Sequence, residues 1–430
     1  MSSSTLRKNF SFLLLLMLIL PQVLPFKVCY FMSLGYLAFN FLFYKVPITR
    51  KILFCILPLV LILCTGIIGG IYSLSNSFTD SIKDIVYMTA PILYVLVGFI
   101  QMLKIKDIRV ALKTIVIAGG ILSVIHISKL IANPWVVTES VRVIRQQLGN
   151  GYTLSIIGLV IIYFTKYYDF RVFKRRTIGM LCFFLCTFSF LISLSRTLTL
   201  ILFIFIIVIG WIKMKGSNLK LGTSYLKLAI SLYAMIAIGI VSYLLVSTQS
   251  HVINQIGQKF YTSLVEIKVN DYTNIVDINN NWRGYEGYRA LIEYENYNIV
   301  EKTIGGGIGK LVDLNLKMML DGKEYYKVLV IHNGYIYILV KTGIIGLLMY
   351  LYFTLNVIKD GFKFQKGIHG IDKLVGRLMI ALGVSLLTIT YFNTGLYKPE
   401  GSSEYVVLLG VLQGYMFLAN KGKKTGDYKI

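Results

Sequence analysis

Residues 331–358 read IHNGYIYILVKTGIIGLLMYLYFTLNVI. His332 and Lys341 are the only basic residues in this mostly apolar and aromatic run. A spanning helix needs roughly 20 mostly apolar residues. As one helix, these 28 residues would be about 42 Å long at about 1.5 Å per residue, against a hydrocarbon core of about 30 Å. The excess implies that the first ten residues stand above or shallow in the outer leaflet. That placement spares Lys341 a position near mid-membrane, where an ammonium is costly. It also leaves His332 facing the outer aqueous side.

Working outward, about twelve such runs are found, near 10–25, 28–44, 52–71, 85–103, 110–132, 152–165, 177–194, 197–212, 226–247, 331–358, 376–396 and 405–420. The chain has 430 residues, 56% of them hydrophobic, which is too apolar for an ordinary soluble protein. The expected fold class is therefore an all-α polytopic membrane protein with about 12 transmembrane helices. The expected domains are helices 1–9 in 1–247, a large extracytoplasmic loop in 248–330 between the ninth and tenth spans, helices 10–12 in 331–420, and a cytoplasmic tail in 421–430.

The net charge of +24 does not point to nucleic acid, because the charges alternate between connectors. Counted from an inside N-terminus, the cytoplasmic segments carry 26 Lys and Arg. The short outer connectors carry 6, namely Lys27, Lys83, Arg142, Arg145, Arg196 and Lys398. The positive-inside rule then puts both termini in the cytoplasm and the large loop outside. Arg7 and Lys8 ahead of an apolar run mimic a secretory signal, but no small-residue cleavage site follows and a retained first span is expected. All five cysteines lie in apolar runs, with neither a disulfide framework nor zinc spacing.

No Asp or Glu falls well inside an expected span, which weakens a transporter reading. Arginines on the outer face run against the positive-inside trend, and each needs a reason. Arg142 and Arg145 precede Leu148-Gly149-Asn150-Gly151; Arg196 crowns a tight hairpin; Arg283 and Arg289 lie in the large loop. Guanidinium forks bind phosphate bidentately and stay charged; headgroup contacts and salt bridges are the plainer readings. Glu286 and Glu293 are placed to pair with Arg289 on a helix.

Residues 282–301 read as one amphipathic helix. Its Trp282, Tyr285, Tyr288, Tyr294 and Tyr297 would form an interfacial belt or stack on sugar rings. Gly305-Gly306-Gly307-Ile308-Gly309 is a candidate for presenting backbone N–H groups to an anion. His126 is expected to be a packed, hydrogen-bonded histidine. His332 is the candidate proton acceptor, since a neutral imidazole serves as a base near neutral pH. The plain alternative is a helix start capped beside Asn333.

Four matches together resemble the bacterial O-antigen ligase and Wzy-type polymerase superfamily. They are an outer-connector arginine followed by Gly149-Asn150, Ser195-Arg196 at a span end, Arg283 with Ala290-Leu291 and the glycine turn, and His332-Asn333-Gly334-Tyr335 leading into Thr342-Gly343-Ile344-Ile345-Gly346-Leu347. Gly287 stands where the family often has Trp. The resemblance implies a GT-C-type helical fold and metal-independent transfer of glycan from an undecaprenyl-diphosphate-linked oligosaccharide at the periplasmic face of the inner membrane. It suggests His332 as the activating base. Arg142, Arg145, Arg196, Arg283, Arg289 and Asn333 would contact the diphosphate or glycan. No metal and no cofactor are expected; membrane lipid and a chain-length regulator protein are expected partners. A polymerase is expected, with the ligase that transfers to lipid A–core as the alternative and a lipid-linked glycan flippase as the second. A peptidoglycan-type polymerase would instead draw on Asp271, Asp277 or Asp313.

Overall fold

The computed structural model describes residues 3–44, 49–73, 76–138, 141–149, 151–168, 170–214, 270–272, 274–320, 323–367, 369–397 and 403–425. Eleven of the twelve apolar runs are occupied by helices. The ninth, 226–247, and the opening of the large loop, 248–269, lie outside the described residues. Among the described helices, seven are long and apolar enough to cross a membrane, and three more are shorter apolar helices. The protein is thus a multi-pass, predominantly helical membrane protein.

The described helices are α1 Ser3–Val23, α2 Phe26–Tyr44, α3 Arg50–Ser73, α4 Phe78–Ile105, α5 Ile108–Ala132, α6 Val141–Leu148, α7 Thr153–Thr165, α8 Arg176–Ser193 and α9 Arg196–Met214. There follow α10 Ile275–Asn280, α11 Trp282–Glu295 and α12 Ile299–Ile304. Strands β1 Val312–Leu320 and β2 Lys323–Val328 come next, then α13 Gly334–Phe364, α14 Gly370–Phe392 and α15 Ser403–Thr425. The chain falls into two compact units. The first comprises Met1–Ile19, Ile108–Thr262 and Gly361–Ala381; the second comprises Leu20–Asp107, Ser263–Asp360 and Leu382–Ile430.

In the first unit α5, α7 and α8 pack on one another. Gly119 lets the two backbones approach, since a Cβ there would stand 2.5 Å from the Leu154 carbonyl oxygen. Ser123 and Ser155 hydroxyls bond at 2.9 Å across the contact. His126 is buried and its Nδ1 lies 2.9 Å from Ser189 Oγ, the packed histidine that was expected. Interhelical polar pairs of this kind substitute for the hydrophobic drive that lipid removes. In the second unit α15 lies along α4, its Gly410 and Gly414 set against the Val95 and Phe99 backbone.

The large loop is not wholly helical. Residues 312–318 alternate apolar and polar side chains, and they form β1 of a two-stranded antiparallel hairpin with β2. The expected single helix over 282–301 is two. Asn298 accepts from the Val300 and Glu301 amides while the Glu301 carboxylate accepts from the Asn298 amide, a capping box that restarts the chain as α12.

Two further expectations are corrected. α4 begins at Phe78, well ahead of the apolar run, with Asp80 favourably placed in its first turn. That brings Asp84 into a helix that qualifies as a span, and Asp84 is fully buried. Lys341 does not reach water either: it is fully buried and ion-paired with Asp84. The length problem is solved by a break at Gly343, which adopts φ 64°, ψ −166°. Residues 344–364 alone make a helix of about 31 Å at about 1.5 Å per residue, close to one hydrocarbon thickness.

The glycine turn is threaded into that break. Its amides are all used within the chain: Gly305 donates to Glu301 O, Gly306 to Val340 O, Gly307 to Lys341 O and Ile308 to Gly66 O. Gly309 donates to Asp84 Oδ2 at 2.7 Å. The anion this turn binds is thus a carboxylate of its own chain, and no amide remains for a phosphate. Gly305, Gly307 and Gly309 have φ near +80°, which L side chains rarely adopt. A Cβ on Gly307 would sit 1.9 Å from the Gly70 nitrogen, so the fit tolerates no side chain.

Candidate active site

The chemistry-bearing residues of the second unit converge on the mouth of α13. Asn333 caps that helix, its Oδ1 accepting from the Tyr335 and Ile336 amides at 3.1 and 3.3 Å. The segment before it is stitched to the end of α14. Gly334 donates to Asn393 O at 3.0 Å, and Thr394 Oγ1 donates to Ile331 O at 3.0 Å. His332 is therefore presented from a fixed backbone, its side chain 45% exposed.

Behind the ring stands Glu286, one residue of the buried face of α11 and itself 1% exposed. Its Oε2 lies 2.8 Å from His332 Nδ1 and accepts from the His332 backbone amide at 3.3 Å. A carboxylate has only acceptors, so the proton on this edge of the imidazole belongs on Nδ1. Nε2 is then left with its lone pair. A buried carboxylate that fixes the tautomer and orientation of a partly exposed histidine is the arrangement of a general base.

Glu286 was expected to pair with Arg289; the tertiary fold takes it to His332 instead. Arg289 Nε donates to the Asp313 carbonyl at 3.2 Å, which ties it to the foot of the hairpin. Arg283, a turn before Glu286 on the same helix, places Nη1 3.5 Å from the Phe392 carbonyl. Phe392 and Asn393 are consecutive, so Arg283 and the His332-Asn333 segment meet at the same end of α14. The structure thereby brings Arg283, Glu286, His332 and Asn333 together.

Of the aromatics on this stretch, Tyr285 and Tyr297 are buried and unavailable for stacking. Tyr285 donates to Leu314 O at 2.6 Å and Tyr297 to Val340 O at 3.4 Å. Burial pushes the Tyr297 phenol far above its ordinary range, so it stays protonated and serves as a donor. Trp282 and Tyr288 remain partly exposed.

Arg142, Arg145 and Arg196 belong to the first unit. Arg142 lies in the first turn of α6 and Arg196 opens α9. Arg145 Nη2 donates to the Leu194 carbonyl, capping a left-handed turn at the end of α8. Ile144 and Leu148 pack with Val136 and against Ile192 and Leu194. A Cβ on Gly151 would meet that of Ser193 at 2.5 Å. The α6 connector and the Ser195-Arg196 hairpin are thus one packed corner. Among the described residues, no group of three or more His, Cys, Asp and Glu is placed to hold a metal ion.

A multi-pass helical membrane protein that mounts an oriented histidine and an arginine at a helix mouth is, as a class, equipped for proton transfer beside an anionic group. Residues 181–351 match the family model Wzy_C, described as O-antigen ligase. That match supports the likeness to the O-antigen ligase and Wzy-type superfamily that the motifs led one to expect. Arg196, Arg283, Arg289, His332 and Asn333 fall within it; Arg142, Arg145 and Asp84 do not. No curated protein matches the chain.

Proposed function

We propose that this protein is a surface-polysaccharide repeat-unit polymerase of the O-antigen or capsule kind. It would transfer glycan from undecaprenyl diphosphate onto the terminal sugar of another lipid-linked repeat unit, at the periplasmic face of the inner membrane. The observation that carries the reading is the Glu286–His332 pair, whose imidazole is oriented from behind and open in front. In the transfer, His332 Nε2 takes the proton of the acceptor hydroxyl as its oxygen attacks the anomeric carbon. The bond from that carbon to the diphosphate breaks, and polyprenyl diphosphate leaves with the electron pair.

Glu286 balances the imidazolium while it exists. Arg283 stabilises the charge that develops on the departing diphosphate, work that a guanidinium does without a metal. Asn333 holds the helix start from which His332 projects. Arg142, Arg145, Arg196 and Arg289 are proposed as glycan or diphosphate contacts on the strength of their charge and place in the chain. The same reading includes twelve spans in a GT-C-type arrangement, cytoplasmic termini and a chain-length regulator as partner.

Deletion of the gene followed by gel analysis of the surface polysaccharide tests the assignment. A single repeat unit left on its acceptor is the expected result. Bare core with lipid-linked polymer accumulating would overturn it in favour of the ligase.

A further inference from the structure

Asp84 and Lys341 form an ion pair with both side chains fully buried, in two helices that qualify as membrane spans. Taking two charges out of water costs several kcal/mol per ion, and apolar replacements of equal volume are often as stable. Stability alone is thus a poor reason for the pair. Its other contacts supply a better one. Asp84 Oδ1 accepts from the Tyr337 hydroxyl at 3.0 Å, and Oδ2 accepts from the Gly309 amide at 2.7 Å. The carboxylate therefore holds three things at once: the ammonium at the break in α13, a phenol one turn before it, and the last amide of the glycine turn.

Each of those attachments leads to one half of the candidate base. Tyr337 and Lys341 lie on the short arm of α13 that begins at Gly334, directly after His332-Asn333. The glycine turn is the exit of α11 and α12, the arm that carries Arg283 and Glu286. Neighbouring side chains brace the same turn: Ser73 Oγ and Asn76 Nδ2 donate to Gly306 O at 3.1 and 3.0 Å. Asn76 Nδ2 also donates to Ile308 O at 2.9 Å. These last contacts grip carbonyls; among the described residues, Asp84 is the side chain that hydrogen-bonds both the turn and the α13 arm, beside the backbone bonds from Gly306 and Gly307 to Val340 and Lys341.

We propose that Asp84 is a positioning residue for the transfer, acting through Gly309, Tyr337 and Lys341 to keep Glu286 and His332 in register. The proposal rests on the transferase reading above. A mere charge-compensation role would be met equally by the reversed pair, but a lysine at position 84 has no acceptor for the Gly309 amide or the Tyr337 hydroxyl.

The test uses the full-length chain in lipid nanodiscs, comparing wild type, the neutral double variant Asp84→Leu/Lys341→Met and the reversed double variant Asp84→Lys/Lys341→Asp. Asp84→Asn alone leaves a buried ammonium poorly compensated and risks unfolding, so the doubles are the informative proteins. In the neutral double we expect hydrogen exchange of amides 305–309 to rise at least tenfold while α4 and α15 stay protected. Chain extension on lipid-linked repeat units should fall at least tenfold in kcat with KM little changed, in both doubles.

Unchanged exchange at 305–309 in the neutral double overturns the proposal, and so does full activity in either folded double variant. A wild-type chain inert towards lipid-linked repeat units would instead sink the transferase reading, and the exchange arm would still decide whether Asp84 holds the turn.

Discussion

In the second unit the buried carboxylates Glu286 and Asp84 each face one cationic or basic side chain, and they differ in what stands in front of the base. Glu286 is 1% exposed and its partner His332 is 45% exposed; Asp84 and Lys341 are both closed off completely. A base that water and substrate can reach can exchange a proton in a reaction cycle. A sealed ammonium can only fix geometry. The first pair also shares its histidine with a helix mouth at which an arginine arrives, whereas the second is surrounded by a glycine turn whose amides are all consumed. Similar chemistry, a carboxylate beside a nitrogen base, therefore divides into chemistry at one end of the α13 arm and architecture at the other.

The sharpest way to break this contrast is to remove the open base. His332→Ala should lower chain extension by roughly 10²–10⁴-fold, the usual worth of a general base, while the protein still inserts in the membrane. Polymer of normal length from that variant would take His332 out of the mechanism. The closed pair should answer in the opposite currency. Asp84→Asn should cost about 3–5 kcal/mol of stability, the usual penalty for breaking a buried ion pair, read as early thermal unfolding of the purified chain. A variant as stable as wild type would show that Lys341 is not held by charge.

Next in size is Glu286→Gln. The substitution keeps the shape but turns one carboxylate oxygen into an amide that can donate, so it no longer specifies a proton on Nδ1. A loss of roughly 10–100-fold in kcat is expected, as for other partners that orient a histidine. Because Glu286 is sealed and His332 is not, the effect should appear in turnover more than in KM. Wild-type kcat in Glu286→Gln would contradict the pairing.

The contrast also explains how much the sequence disclosed. Spans were legible because lipid demands long apolar helices, and His332-Asn333 was legible because a polar pair opens one of them. Glu286 was not, because Arg289 offered a local partner one turn away, whereas His332 lies 46 residues on in the chain. Asp84 escaped notice because it sits just ahead of the apolar run 85–103, while the helix that contains it starts at Phe78. Its partner is 257 residues distant, and nothing local marks the two as a pair. The hairpin did carry a signal. Val312-Asp313-Leu314-Asn315-Leu316-Lys317-Met318 alternates with period two and leads to Asp321-Gly322, a hairpin-turn dipeptide.

The smallest expected effects concern the arginine at the open end. Arg283→Lys preserves the charge but loses the planar fork, and a drop of about tenfold in chain extension is expected if the guanidinium grips a diphosphate. The same variant should bind anionic vesicles as wild type does, because a headgroup needs charge more than a fork. EDTA should change the rate by less than about twofold, since the proposed charge stabilisation comes from guanidinium groups and the connector between α1 and α2, Leu24-Pro25, offers no acid. Loss of activity in EDTA, restored by Mg²⁺, would mean that the diphosphate is held by a cation. Arg283 would then be left with the role its Phe392 contact already describes, a tie between α11 and the end of α14.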